Sequence, residues 1–406
     1  MGLAAPPIAL YIHFPFCVSL CPYCDFVVYA GAATRGPKAR VDAFYGALLT
    51  ELELRADALD AAFPGGRPAL ESVYLGGGTP SLLPAADVTR ILDRVRARFG
   101  VAEGAEVTLE ANPGPDERGD AGALRTAGVT RLSIGAQSMS DLGLRLLGRR
   151  HRVSDVGEAV AAARAGGIES ISLDLLYDAP ELMLGDWIET LDAALDLEPD
   201  HLSLYALTLD DPDAEGLTGP GGDHLPTTPG ARRWRTTARP SQDEDRAAAQ
   251  YHHAVHRLAE DGWRGYEISN WAQPGHESRH NLVYWDRRPY EAVGPWAHAF
   301  DGATRRWNAA RLERYLSALA PADDGAARLP PGGSDTLDPA TEAAETVILG
   351  LRTDRGVPLR SAHEPPLADA FGWALAAELL DVTEDDRVVL TTRGRLLSNE
   401  LFSRLV

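Results

Sequence analysis

The choice of fold depends on one stretch near the start of this 406-residue sequence, Tyr11-Ile-His-Phe-Pro-Phe-Cys17-Val-Ser-Leu-Cys21-Pro-Tyr-Cys24. It ends an apolar run of the length and composition of a buried strand, and then brings all three cysteines of the chain within eight residues. An odd number of closely spaced cysteines argues against a disulfide framework. Soft thiolates suit zinc or an iron–sulfur cluster. Structural zinc usually takes two separated pairs of ligands, whereas a four-iron cluster on three thiolates leaves one iron open.

Short apolar runs alternate with longer amphipathic stretches from residue 8 to about residue 208. The runs are Ile8–Phe14, Ser72–Leu75, Glu106–Glu110, Arg131–Ala136, Ser170–Leu175 and His201–Thr208. The amphipathic stretches between them include Val41–Leu59, Ala85–Arg98, Val153–Ala165 and Asp186–Leu197. Such alternation predicts an α/β fold with a parallel sheet, closed or partly closed like a barrel. A doubly wound sheet is the alternative that the pattern leaves open.

The second half of the chain changes character twice. Residues 210–241 contain many glycines and prolines, and they include a basic group, Arg232, Arg233, Arg235 and Arg239, that we expect to be a solvated surface insertion. A second Pro/Gly-rich break at 320–338 indicates a linker. We therefore expect a barrel core over 1–240, an extension over 241–320 and a small α+β module over 335–406.

The charge balance limits the possible partners. The chain has 39 Lys and Arg against 59 Asp and Glu, a net charge of −20, which disfavours broad binding to nucleic acids or anionic membranes. The first 24 residues carry no charged side chain, but they lack a basic leader region and contain four prolines. This composition fits neither an export signal nor a membrane span, so we expect a cytoplasmic protein without an integral membrane segment.

A series of motifs in fixed order resembles the radical S-adenosylmethionine (SAM) superfamily and, within it, the coproporphyrinogen-oxidase-like branch. The motifs are Tyr11–Phe26, Gly76–Pro80, Leu109–Pro113, Leu132–Gln137, Asp174–Tyr177, His280–Trp285 and Leu390–Asn399. The resemblance covers nearly the whole chain. It implies a partial (β/α)6 radical SAM barrel followed by a winged-helix-like module similar to the C-terminal domain of HemN-like proteins.

The resemblance also implies a set of site residues. Cys17, Cys21 and Cys24 would hold a [4Fe–4S] cluster whose open iron is chelated by SAM. The SAM contacts would come from Tyr11, Tyr23, Gly77, Gly78, Thr79, Glu110, Gln137, Arg149, Asp174 and Thr208. Three of these, Glu110, Gln137 and Asp174, stand at the ends of successive predicted strands, and polar groups in such places converge on one face of a barrel.

Two positions bear on what the protein does with this site. Coproporphyrinogen dehydrogenases of the branch carry a further cysteine two residues after the third, where this chain has Phe26. His280 opens the run His280-Asn-x-x-Tyr284-Trp285, which the branch's heme chaperones carry and which is linked there to heme binding. Imidazole suits heme iron, and the two aromatic side chains would offer a porphyrin flat apolar surface.

We therefore expect a heme chaperone that binds heme as cargo and passes it to acceptor hemoproteins, with electrons from a donor such as flavodoxin or ferredoxin. One departure keeps a HemN-like radical SAM methyltransferase open as the alternative. The branch has Gly-x-Gly-Ala-His where this chain reads Gly294-Pro-Trp296-Ala-His298, so a tryptophan replaces a glycine. An oxygen-independent coproporphyrinogen III dehydrogenase is disfavoured by Phe26.

Overall fold

Parallel strands in sequential order form the centre of the computed structural model, which describes residues 3–34, 38–209, 225, 227–322, 325–363 and 367–405. The strands are β1 (Ala9–Phe14), β2 (Leu70–Gly77), β3 (Val101–Ala111), β4 (Arg131–Gln137), β5 (Ser170–Tyr177) and β6 (His201–Ala206). The helices between them are α1 (Val41–Ala62), α2 (Ala85–Phe99), α3 (Ala121–Ala127), α4 (Asp141–Leu146), α5 (Val153–Ala165) and α6 (Leu184–Leu195).

The order of these strands decides between the two predicted architectures. Each strand from β1 to β6 pairs in parallel with the next one along the chain. Each strand is thus added at the same edge of the growing sheet. With right-handed crossover connections, this order places every connecting helix on the same face of the sheet. The twist of the sheet then curves its other face inward, so the predicted partial barrel is confirmed and a doubly wound sheet is excluded.

Residues after the barrel strands extend the main sheet at both edges and form a second, smaller sheet. The elements are α7 (Pro229–Ala238), α8 (Glu244–Glu260), β7 (Arg264–Gly265), β8 (Asn270–Ala272), α9 (Arg279–Trp285), β9 (Glu291–Val293), β10 (His298–Phe300), β11 (Thr304–Asn308), α10 (Leu312–Leu319) and β12 (Gly332–Thr336). The main sheet has nine strands in the order β7-β8-β6-β5-β4-β3-β2-β1-β9, and β10, β11 and β12 form a separate antiparallel sheet. Part of the predicted surface insertion, residues 210–224 and 226, lies outside the described residues.

The C-terminal residues form a small α+β unit with its own core. Its elements are α11 (Pro339–Arg352), β13 (Val357–Pro358), α12 (Ala368–Ala376), β14 (Leu380–Val382), β15 (Arg387–Leu390), α13 (Thr392–Leu396) and α14 (Ser398–Phe402). The three strands pair antiparallel in the order β13-β15-β14. Leu351, Phe371 and Leu401 are among the buried side chains that pack between this sheet and its helices. No described helix is long and apolar enough to cross a bilayer.

The side chains of β1 alternate between the apolar core and the inside of the barrel. Leu10, Ile12 and Phe14 are buried in the main core, because successive side chains of a strand point to opposite faces. Tyr11 and His13 point the other way, into the barrel. The helix-facing side of the sheet therefore carries the apolar core, and the inner side is left for polar groups.

A buried carboxylate joins α1 to three segments far along the chain. Glu51 is 0% exposed, and its Oε1 accepts hydrogen bonds from Arg55 Nε (3.2 Å) and Asn308 Nδ2 (2.8 Å). Its Oε2 accepts from the backbone N–H of Gly294 and from the Tyr315 hydroxyl, both at 2.8 Å. Four donors thus compensate the desolvated charge, and the loop after β9 is fixed against the barrel.

Replacing Glu51 with Ala should destabilise the protein strongly, because it leaves the buried Arg55 charge without its carboxylate partner and several other donors without an acceptor. We expect the free energy of unfolding in urea, followed by tryptophan fluorescence, to fall by about 3–5 kcal/mol. Glu189→Ala, on the exposed face of α6, is the matched control and should change it by less than about 0.5 kcal/mol. A similarly small loss for Glu51→Ala would contradict the role assigned to this network.

Candidate active site and a neighbouring aromatic cavity

A cavity of about 630 Å³ opens at the carboxyl ends of the barrel strands. Twelve of the fourteen residues that the sequence predicts for the site line it: Cys17, Cys21, Tyr23, Cys24, Gly77, Gly78, Thr79, Glu110, Gln137, Arg149, Asp174 and Thr208. The other two, Tyr11 and His280, lie elsewhere. The structure brings these residues to one cavity, as the strand-end argument expects for Glu110, Gln137 and Asp174, and their roles in binding stay predictions.

The three thiols border this cavity from the loop after β1. The Thr79 hydroxyl lies 3.5 Å from Cys17 Sγ, and Arg149 Nη1 donates to Cys21 Sγ at 3.0 Å. Burial raises the pKa of Cys17 and of Cys24 to about 12, so these two thiols keep their protons at neutral pH unless a metal displaces them. Among the described residues, no three His, Cys, Asp or Glu side chains lie close enough to share a single metal ion.

One arginine of α7 holds the cysteine loop from outside the barrel. Arg235 Nε donates to the carbonyl of Pro22 (3.0 Å), and its Nη2 donates to the carbonyl of Cys24 (3.2 Å) and to Asp25 Oδ1 (2.6 Å). The expectation of a solvated basic group is wrong at this position, because Arg235 is buried. The preceding residue, Trp234, packs against Tyr23, with the two ring centroids 6.2 Å apart. The helix thus fixes both the backbone and an aromatic side chain of the loop.

A glycine at the end of β2 is required by close packing. Gly77 has φ +105°, and a Cβ placed on it would lie 2.4 Å from ring atoms of His13. Its backbone N–H donates to Glu110 Oε2 at 2.8 Å. The glycine loop therefore packs on β1 from one side and binds a carboxylate of β3 on the other.

Two carboxylates stand inside the barrel among hydroxyl groups. Glu110 Oε1 accepts from the Tyr74 hydroxyl at 2.8 Å, and Asp174 Oδ1 accepts from Ser133 Oγ at 3.0 Å and from Ser172 Oγ at 3.4 Å. Burial raises the pKa of Glu110 to about 7 and raises the pKa of Asp174 as well. Both carboxylates therefore favour a cationic ligand group, which would offset their desolvation.

The predicted contacts Gln137 and Thr208 lie at the cavity for different structural reasons. Gln137 has φ +66° and follows a break in the pairing register of β4, a local distortion that turns its side chain to the cavity. Thr208 is exposed at the cavity edge after β6.

Asn112 is a residue of this cavity that the sequence analysis did not predict, although it stands two residues after Glu110 in a quoted motif. Its amide bridges the Thr79 hydroxyl (3.0 Å) and Arg149 Nη2 (2.5 Å).

Tyr11 and His280 are the two predicted residues that the structure separates from this cavity. Tyr11 lines a neighbouring cavity of about 330 Å³, and its hydroxyl lies 3.0 Å from His13 Nδ1. His280 is 1% exposed and lines neither cavity. Its Nδ1 hydrogen-bonds with Ser72 Oγ and its Nε2 with the Tyr284 hydroxyl, both at 2.8 Å. Burial lowers the pKa of His280 to about 3, so the ring is neutral at physiological pH.

Comparison with known proteins gives matches over part and over nearly all of the chain. Residues 11–194 match the radical SAM superfamily. The chain is 38% identical over 402 residues to the heme chaperone HemW of Mycobacterium tuberculosis strain H37Rv, covering 98% of this chain and 95% of that one. It is 31% identical over 405 residues to the heme chaperone HemW of Bacillus subtilis, covering 97% of each.

Among solved structures, coproporphyrinogen III oxidase (HemN) from Escherichia coli aligns with 99% of this chain and 90% of its own, with a TM-score of 0.77 and 20% sequence identity. At that identity the likeness concerns the fold alone. It confirms the expected radical SAM barrel with added small sheets.

The raised pKa of Glu110 predicts a pH-dependent stability difference between the parent and Glu110→Gln. Because the pKa is about 7 in the folded chain against an ordinary 4.5, the stability that the protonated carboxyl contributes is complete below about pH 4.5 and is lost as the pH rises through 7. Gln cannot ionise. Relative to the parent, the variant should therefore gain about 2–3 kcal/mol between pH 5 and pH 8 in urea denaturation of the cluster-free protein. A difference that does not change with pH would contradict the desolvation of this carboxyl.

Proposed function

The chain belongs to the HemW family of radical SAM proteins, and from that premise we propose that it binds a [4Fe–4S] cluster, SAM and heme, and delivers the heme to acceptor hemoproteins. The observation that carries the proposal is the full-length similarity to two heme chaperones named HemW, at 38% and 31% identity. The placement of three thiols and two carboxylates around one cavity supports its SAM-binding part.

The residues of the larger cavity fit an iron–sulfur cluster bound through Cys17, Cys21 and Cys24. All three thiols border a space of about 630 Å³, which leaves room for a second ligand beside them. Arg149 donates to Cys21 Sγ and would stabilise thiolate charge there. When bound, such a cluster supplies one electron and an open iron for SAM. The carbonyls of Pro22 and Cys24 accept hydrogen bonds from Arg235, which holds the loop in position without help from the thiols.

SAM would lie along the strand ends from the glycine loop towards β6. Its ammonium and sulfonium groups are cations, and Glu110 and Asp174 are two carboxylates that line the same space, while the third, Asp25, is paired with Arg235. A bound cation would favour the ionised form of Glu110 and lower its pKa from about 7. Gly77, Gly78 and Thr79 would contact the methionine part, while Gln137 and Thr208 would contact the nucleoside part at the edge.

Phe26 supports the chaperone function over oxidation of coproporphyrinogen. It places an apolar ring, 59% exposed, between the two cavities, at the position where the oxidases of the branch carry a cysteine. An exposed ring of this size is suited to contact with a flat apolar ligand. We propose that the protein works in the cytoplasm and receives electrons from a donor such as flavodoxin or ferredoxin.

The cluster proposal predicts the metal content of the purified protein. Anaerobic reconstitution should give about four irons per chain, and Cys24→Ala should reduce the iron content to near zero because one of only three thiolates is lost. Ser19→Ala, in the same loop, is the matched control and should keep its iron. The measurement is iron and sulfide analysis with the absorbance near 400 nm. Stoichiometric zinc that survives Cys24→Ala would contradict the proposal.

The heme proposal predicts about one hemin bound per chain and no oxidation of coproporphyrinogen III under reducing, SAM-supplied conditions. The measurements are hemin titration by absorption and analysis of the porphyrin products, with E. coli HemN as the positive control for the oxidation. Methyl transfer to a substrate without hemin binding at micromolar concentration would instead favour the radical SAM methyltransferase.

A further inference from the structure

A chain of hydrogen bonds runs from the larger cavity into the protein behind its wall. It begins at Asp174 on β5, whose Oδ1 accepts from Ser172 Oγ at 3.4 Å. Ser172 Oγ lies 2.8 Å from His201 Nδ1, and His201 Nε2 lies 2.9 Å from the Tyr266 hydroxyl. The backbone N–H of Ser278 donates to that hydroxyl at 3.3 Å. The chain thus joins a carboxylate of the cavity to the residue that caps α9.

Strand register brings the first three members of this hydrogen-bond chain together. Ser172 and Asp174 are two residues apart on β5, so their side chains lie on the same face of the sheet. His201 begins β6 and is paired with Ser172 across the two strands. Tyr266 comes from the segment between β7 and β8, at the edge of the same sheet. The chain therefore connects the barrel to the extension that follows it.

The imidazole in the middle of the chain is buried and neutral. Ser172, His201 and Tyr266 are each 1% exposed. Burial lowers the pKa of His201 well below its ordinary value, and the nearby Arg131 charge acts in the same direction, so the ring carries no charge at physiological pH. A neutral imidazole has one N–H donor and one acceptor nitrogen. One of its two hydrogen bonds is therefore donated and the other is accepted.

The two ends of the chain decide which nitrogen carries the proton. A backbone N–H can only donate, so the Tyr266 oxygen accepts at Ser278 and its own proton is directed to His201 Nε2. Nδ1 then carries the ring proton and donates to Ser172 Oγ, which in turn donates to Asp174. With the proton on Nε2 instead, the Tyr266 hydroxyl would find no acceptor among the described residues. Ser172 would then donate to the ring and not to the carboxylate.

Every donor in the chain therefore points towards Asp174. Ser133 supplies a second hydroxyl to the same carboxylate, 3.0 Å from Oδ1 and 3.2 Å from Oδ2. Hydrogen bonds donated to a carboxylate favour its ionised form, and here they oppose the burial that raises the pKa of Asp174. The contact from Ser172 differs from that of Ser133, because its direction is set by His201 and Tyr266, which do not touch the carboxylate themselves.

We propose that His201 and Tyr266 are positioning residues for SAM binding, which fix the donor direction of Ser172 and so orient the Asp174 carboxylate for the cationic part of SAM. The inference rests on the proposed function and deepens it, since it gives a role at the SAM site to two residues outside the predicted contacts. The same chain holds this carboxylate and the start of α9 in one network.

NMR of the cluster-loaded protein, labelled with nitrogen-15 on histidine, tests the direction of the chain. In the parent, His201 should be neutral with its proton on Nδ1, and its signal is identified by its loss in His201→Asn. Tyr266→Phe removes the donor to Nε2, so the ring should shift towards the Nε2–H form with Ser172 as donor to Nδ1. Tyr251→Phe is the matched control, because it removes a buried hydroxyl that donates to the carbonyl of Ile268 at 2.8 Å. It should leave the His201 signal unchanged.

SAM binding to the cluster-loaded protein tests the consequence for the site. Tyr266→Phe should raise the dissociation constant of SAM about threefold to tenfold, the net effect of one buried hydrogen bond. His201→Leu should raise it about tenfold or more. His201→Asn keeps a side-chain N–H near the position of Nδ1 and should recover part of that loss, which a role in packing alone does not predict. Tyr251→Phe should bind SAM like the parent, and the iron–sulfur content should be the same in all four variants.

The outcomes separate this inference from the function on which it rests. A cluster-loaded parent that binds no SAM would overturn the SAM-binding part of the proposed function. A parent that binds SAM but carries the His201 proton on Nε2 would overturn the positioning role and leave the function standing. Equal SAM affinity in Tyr266→Phe and Tyr251→Phe would do the same. Tyr266→Phe removes a single oxygen atom and keeps the ring, so it decides the question even where His201→Leu fails to fold.

Discussion

Packing around His13 connects every part of the site. The ring lies against Gly77, where a Cβ would come within 2.4 Å of it, and its Nε2 hydrogen-bonds with the carbonyl of Val27 beyond the cysteine loop. On its other side, a Cβ on Gly294 would lie 2.4 Å from the His13 carbonyl oxygen. Burial lowers the pKa of His13 to about 4, so the ring is neutral at physiological pH and adds no charge beside the thiols. The ring and the backbone of this one buried residue thus fix the spacing of three chain segments.

This packing explains why the two cavities lie side by side. The backbone around the last cysteine is held at Pro22 and Cys24 by Arg235 and, just beyond the loop, at Val27 by His13. Phe26 lies in the held part and separates the thiol cavity from the aromatic one. A cysteine at this position would leave less apolar surface between them. The change from thiol to phenyl therefore affects the walls of both cavities more than it affects binding of the cluster.

The sequence predicted the barrel and most of the larger cavity because both follow from local rules. Alternating apolar runs identify strands, parallel strands place their ends together, and polar residues at those ends meet, as Glu110 and Asp174 do. Arg235 could not be found in this way, since it comes from a Pro/Gly-rich part of the sequence, and the packing of its helix depends on contacts with residues far away along the chain. The motif placed Tyr11 close to the cysteine loop. The cavity that its side chain faces, however, depends on the pairing of β1 with β9.

His280 shows the same limit for a functional motif. A motif records which residues occur together, whereas the direction of each side chain depends on the surface that its helix packs against. On α9, His280 and Tyr284 are four residues apart and hydrogen-bonded, so they lie on one face of the helix. That face packs on Ser72 of β2, which places the imidazole inside the protein and the tyrosine at the cavity. The histidine of this motif therefore lies behind the tyrosine, away from the cavity.

Trp296 is the point at which this chain's own sequence alters the site. Its φ of +62° lies in the left-handed region, which is unfavourable for a bulky residue by about 1 kcal/mol or more. The fold keeps this conformation, with Gly294 at φ +103° two residues earlier and the Trp296 ring packed edge-on to both His13 and His298. A glycine here would relieve the strain but would remove a wall of the aromatic cavity. Because that cavity is small and open, the Trp296 ring contributes a large share of its apolar wall.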